Sequence, residues 1–74
     1  MEDSVKYEQL LKVLSNRLKS KRKELKLTQK EVAYSIGMEE QNYRRIENGL
    51  TNPTLLTLSK VAEALKCEVP ELLK

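Results

Sequence analysis

The sequence has no histidine, tryptophan or phenylalanine, and its 74 residues include one cysteine, two glycines and two prolines. Without histidine, and with Cys67 as the lone thiol, the usual Cys/His metal sites, the Cys/His and Ser/His nucleophilic centres and any intrachain disulfide are unavailable. Neither an enzyme nor a metal or other cofactor is expected. Nowhere do 18 apolar residues run consecutively, and the opening MEDSVKYEQLLK is acidic, unlike a basic segment leading into an apolar one. The expectation is a cytoplasmic protein without membrane association. Few glycines and prolines, many leucines and little aromatic character favour helix over sheet, so the chain reads as all-α. A chain this short supports one core, burying only about 60% of the surface that its unfolded form exposes. A single domain over residues 1–74 is expected.

The net charge is only +3, but it is unevenly placed. Residues 12–30 carry eight Lys/Arg against the single Glu24, while the segments on either side are neutral or acidic. A basic face near the first helix follows. By itself it is compatible with a solvated helix surface as well as with a polyanion partner.

Apolar spacing lays out five helices. Leu10, Leu11, Leu14, Leu18 and Leu25 share one stripe of a long first helix from about Ser4 to Leu25. Thr28-Gln29-Lys30-Glu31 has the form of a capping box opening a second helix, with Val32, Ala33 and Ile36 inward and Gly37 as its stop. A third helix, Glu40 to Glu47, turns Tyr43 and Ile46 inward and ends before Gly49. Thr54 caps a fourth, over residues 55–65, whose inward face is Leu55, Leu58, Val61, Ala62 and Leu65. Val69, Pro70, Leu72 and Leu73 make a short fifth. Cys67 falls in this apolar rhythm as a small buried hydrophobe.

A short helix, a glycine turn and a second short helix with a polar outer face form the pattern of a helix-turn-helix. Over residues 17–73, the elements "LTQKEVA", "IENG", "NPTLLTLSKVAEAL" and "VPELL" follow a basic first helix in order, and the chain resembles the Cro/C1-type (XRE) helix-turn-helix family. The resemblance implies a five-helix, lambda-repressor-like fold in which helices 2 and 3 are the reading unit, with residues 1–13 extending helix 1. It implies a transcriptional regulator that binds double-stranded DNA, commonly as a homodimer on a two-fold symmetric operator, with helix 3 in the major groove. No small-molecule ligand is expected.

Site residues carry over position by position. The base-reading positions fall on Glu40, Gln41, Arg44 and Arg45, with Arg44 nearer the backbone. Arg45 suits guanine, Gln41 adenine and Glu40 the cytosine amino group. Thr28 and Gln29 fall at a phosphate-contacting position, with Asn48, Thr51 and Asn52 contacting backbone from the following loop. Arg22 and Glu47 match a partly buried ion pair that positions helix 3, and Val69, Leu72 and Leu73 match a region often used for dimerisation, although the core competes for the same side chains. Glu39 departs from the family, which commonly places Ser or Thr at the cap of helix 3. The rival reading is a protein-interaction module, or an antitoxin-like partner-binding subunit, on the same scaffold.

Overall fold

The computed structural model describes residues 2–73, with side chains from Lys6 to Leu73. It contains five helices, α1 (Glu2–Glu24), α2 (Gln29–Ser35), α3 (Glu40–Glu47), α4 (Leu55–Ala64) and α5 (Val69–Leu72), and no strand among the described residues. The all-α, five-helix expectation holds. At about 1.5 Å per residue α1 is roughly 34 Å long, which accounts for the 36 Å long axis of a body otherwise 21 by 19 Å across.

Local chemistry sets the helix ends. Thr28 Oγ1 accepts from the Glu31 N–H (3.0 Å) and Glu31 returns a carboxylate oxygen to the Thr28 N–H (2.8 Å), a complete capping box. Thr54 Oγ1 accepts from the Thr57 N–H at 3.1 Å and caps α4. Glu39 sits at the cap of α3 with no side-chain hydrogen bond to the helix. The first four helices close in one way: the N–H groups of Leu27, Met38, Leu50 and Cys67 each reach back five residues, to Arg22, Ala33, Arg45 and Ala62. This closure needs a left-handed residue just before the donor. Gly37 (φ 69°) and Gly49 (φ 72°) supply it after α2 and α3, whereas Lys26 (φ 58°) and Lys66 (φ 56°) adopt it after α1 and α4. A side chain there costs about 1 kcal/mol relative to glycine, and glycine stands at the two turns on either side of α3.

The core is Leu14 and Leu18 of α1, Val32 and Ala33 of α2, Tyr43 and Ile46 of α3, Leu58, Val61, Ala62 and Leu65 around α4, and Leu72 of α5. Leu25, Leu27, Ile36, Met38, Cys67 and Val69 pack against it half-buried. Cys67 is thus more open than a core residue, and burial, followed by the nearby Glu71 carboxylate, raises its thiol pKa. Two sequence expectations need correcting. Leu10, though on the α1 stripe, is exposed, and Leu55 is 74% exposed rather than inward. Both stripes continue in sequence past the point where the bundle stops, leaving their outer turns nothing to pack on.

Candidate nucleic-acid interface

The site is built outward from a buried pair. Glu47, the last residue of α3, is fully buried. Arg22 of α1 grips its carboxylate from Nη2 (2.8 Å) and from Nε to both oxygens (3.1 and 3.0 Å), and turns Nη1 to the Leu27 carbonyl at 2.9 Å. The Ser15 hydroxyl donates to the Glu47 carbonyl, tying the same residue to α1 a second time. Burial alone would raise the Glu47 carboxyl pKa, yet the donors around it, Arg22 foremost, hold it below the usual carboxylate range. The Tyr43 hydroxyl lies in the same interior with no hydrogen-bond partner among the described residues. Burial first, then the Glu47 carboxylate, pushes it far above its usual pKa.

From this anchor a chain of side chains runs to the surface. Gln29, the first residue of α2, donates from Nε2 to Glu47 (3.3 Å) and accepts from Arg44 Nε at Oε1 (3.1 Å). Its amide orientation is forced, because a carboxylate only accepts and a guanidinium only donates. Arg44 in turn binds Glu40 one helical turn away, Nη2 to Oε2, at 2.6 Å. The order Arg22, Glu47, Gln29, Arg44, Glu40 therefore links the interior of α1 to the outer face of α3.

Beside this chain, Glu40, Gln41, Arg44, Arg45, Asn48 and Leu50 line one shallow groove, and Arg45 also borders a second with Asn42, Thr51 and Asn52. Gln41 and Arg45 are exposed and make no side-chain hydrogen bond among the described residues. A flat, polar face with an unspent amide and guanidinium matches the donor and acceptor code of base edges better than it matches a substrate pocket.

Comparison with known proteins decides the family. The family model described as "Helix-turn-helix" (HTH_3) matches residues 18–72. The chain belongs to the HTH_3 helix-turn-helix family. A curated relative, the "Cryptic phage CTXphi transcriptional repressor RstR" of Vibrio cholerae serotype O1 (El Tor Inaba N16961), is 36% identical over 59 residues, or 80% of this chain. A solved structure, an "HTH_3 family Transcriptional Regulator from Vibrio cholerae", superposes over 89% of the chain with a TM-score of 0.81 at 27% identity. The chain spans 53% of the length of that repressor and 37% of that solved chain. The Cro/C1-type resemblance read from the sequence is borne out, and HTH_3 is a non-enzymatic, DNA-binding class.

Within this HTH_3 chain the remaining sequence-derived sites are distributed as follows. Asn48 adjoins the groove of α3, and Thr51 and Asn52 border the second groove, so both sit beside Arg45. Thr28 spends its hydroxyl on the cap of α2. On and after α5, Leu72 is fully buried in the core, Val69 is half-buried and only Leu73 is exposed. The core has consumed Leu72, and the apolar surface left on α4 and α5 is Leu55, Leu56 and Leu73.

Sequence reasoning missed Leu50, 69% exposed in the groove beside α3. Its signal was an apolar residue directly after the helix-ending Gly49, where the Leu50 N–H closes α3 and the side chain has no inward stripe to join. Sequence reasoning also missed that Lys12 and Lys19 share a groove with Asn48 and Gly49, which carries the basic surface of α1 up to the loop.

Proposed function

We propose that this chain is the DNA-binding unit of a sequence-specific transcriptional regulator, docking α3 in the major groove of double-stranded DNA and acting as a homodimer on a two-fold symmetric operator. The observation that carries this reading is the exposed, unpaired Gln41 and Arg45 on a helix whose inner end is clamped by Arg22 and Glu47. Gln41 pairs with adenine and Arg45 with guanine, each through two hydrogen bonds. Leu50 adds an apolar surface beside Arg45 suited to a thymine methyl group. Gln29, Asn48, Thr51 and Asn52 meet phosphates, while Lys12 and Lys19 contribute sequence-independent attraction. The family match and the repressor among its relatives support the same reading.

One such module buries too little surface for tight specific binding, and two copies presenting α3 to half-sites one turn apart overcome this. Leu55, Leu56 and Leu73 are the apolar side chains available for that contact. The test is selection of bound duplexes from a random pool at moderate salt. Enrichment of a two-fold symmetric site with half-sites one turn apart is expected. If no duplex is enriched, the DNA reading fails. The rival, a partner-binding module, then takes precedence, and what favours it is a shallow apolar groove lined by Ala33, Tyr34 and Met38, with Tyr34 86% exposed.

A further inference from the structure

We propose that Glu40 is a positioning residue that raises sequence specificity by competing with DNA phosphate for the Arg44 guanidinium. This rests on the DNA reading above. The side chains of Arg44 and Glu40 are 50% and 39% exposed, on the same face of α3 as Gln41 and Arg45. Any duplex that reaches Gln41 and Arg45 therefore meets this pair as well.

Carboxylate and phosphate are equivalent ligands for a guanidinium, each offering oxygens to the same N–H fork. Glu40 is the ligand already in place, four residues away on the same helix and 2.6 Å from Nη2. A phosphate that takes Arg44 must displace it, and the released carboxylate then faces the polyanion. Gln29 keeps its hold on Arg44 Nε throughout, because its amide is fixed from behind by Glu47. The guanidinium therefore exchanges one anionic partner for another without leaving its position.

The two kinds of complex feel this exchange differently. A nonspecific complex is held almost wholly by phosphate contacts and settles wherever a free cation finds one, so occupying Arg44 removes one of its few attachments. In a cognate complex the register is dictated by Gln41 and Arg45 at the bases, and Arg44 adds less. Glu40 therefore weakens the background more than the target. Its presence among base-reading residues follows without requiring it to read a base.

The experiment is a double-mutant cycle of Glu40→Gln and Arg44→Ala, with binding measured on the selected duplex and on a scrambled one from 50 to 200 mM salt, and a thermal melt of each variant confirming folding. Glu40→Gln is expected to strengthen binding to the scrambled duplex at low salt by about threefold or more and to steepen its salt slope by about 0.9, the signature of one recovered phosphate contact. The gain on the selected duplex is smaller, so the ratio between them falls. In the Arg44→Ala background the Glu40→Gln effect should shrink to the small repulsion of a lone carboxylate, with no recovered salt slope. If it persists there undiminished, Glu40 acts by simple charge repulsion and the proposal is overturned. It is equally overturned if Glu40→Gln weakens binding and changes preference at a single base pair, since Glu40 would then be a reader. Failure of the unaltered protein to bind any duplex would remove the DNA reading itself, and this proposal with it.

Discussion

The two ion pairs at either end of the Arg22-to-Glu40 chain differ in a way that distance alone would misjudge. Arg44–Glu40 is the shorter at 2.6 Å, against 2.8 Å for Arg22–Glu47, yet its side chains are 50% and 39% exposed where those of Arg22 and Glu47 are 15% and 0% exposed. Water competes for both members of the outer pair, and an exposed pair one helical turn apart is worth about 0.3 to 0.5 kcal/mol. Within the inner pair, desolvation offsets much of the attraction, so the pair adds little net stability, but neither partner tolerates loss of the other. The inner pair fixes where α3 sits; the outer pair governs which charges α3 shows. Gln29 is bonded to both and carries the position of one to the other.

The largest expected effect breaks the inner pair. Glu47→Gln removes the charge facing a nearly buried guanidinium and should cost about 3 kcal/mol in urea unfolding; a loss below about 0.5 kcal/mol would place that pair in the same class as the outer one. Arg45→Ala, which touches neither pair, should lose about 1 to 3 kcal/mol on the selected duplex and relax preference at one base pair, whereas Gln29→Ala should weaken all sequences alike. Selection repeated with Arg45→Ala distinguishes these, and an unchanged preference would take base reading away from Arg45.

Acid sharpens the comparison further. The Glu47 carboxyl is lowered in the folded chain, so its stabilising contribution is complete above the unfolded value of about 4.3 and is lost as pH falls through the lower folded value. The stability gap between the unaltered protein and Glu47→Gln should therefore narrow below about pH 4.3, as followed by denaturant midpoints across pH. The smallest effect belongs to the outer pair: Glu40→Gln should change unfolding stability by no more than about 0.5 kcal/mol, even though it alters DNA binding. A clearly larger loss would mean that Glu40 holds α3 together.

Much of this division is legible in the sequence. The capping box of Thr28 and Glu31, the Thr54 cap and the two glycine stops each act through backbone groups within a few residues, and the bounds of α2, the end of α3 and the start of α4 follow from them. The pairing of Arg22 with Glu47 came from family resemblance, since nothing in a 25-residue separation announces a contact. Leu55 and Leu10 were misplaced because periodicity defines a stripe but not where its cover ends. Leu50 escaped notice for the complementary reason, as a lone apolar residue in a loop belongs to no period.

By itself the sequence determined five helices and their approximate bounds, which residues of α3 face outward, and the family to which the pattern belongs, because helix propensity, capping and apolar spacing are local. Tertiary structure alone decided that Gln29 would be held between Glu47 and Arg44, that Leu72 would be spent on the core, and that Leu50, Leu55 and Leu56 would remain in solvent. Those outcomes depend on how the helices dock, which brings groups 15 to 25 residues apart within hydrogen-bonding distance and sets the limits of the core.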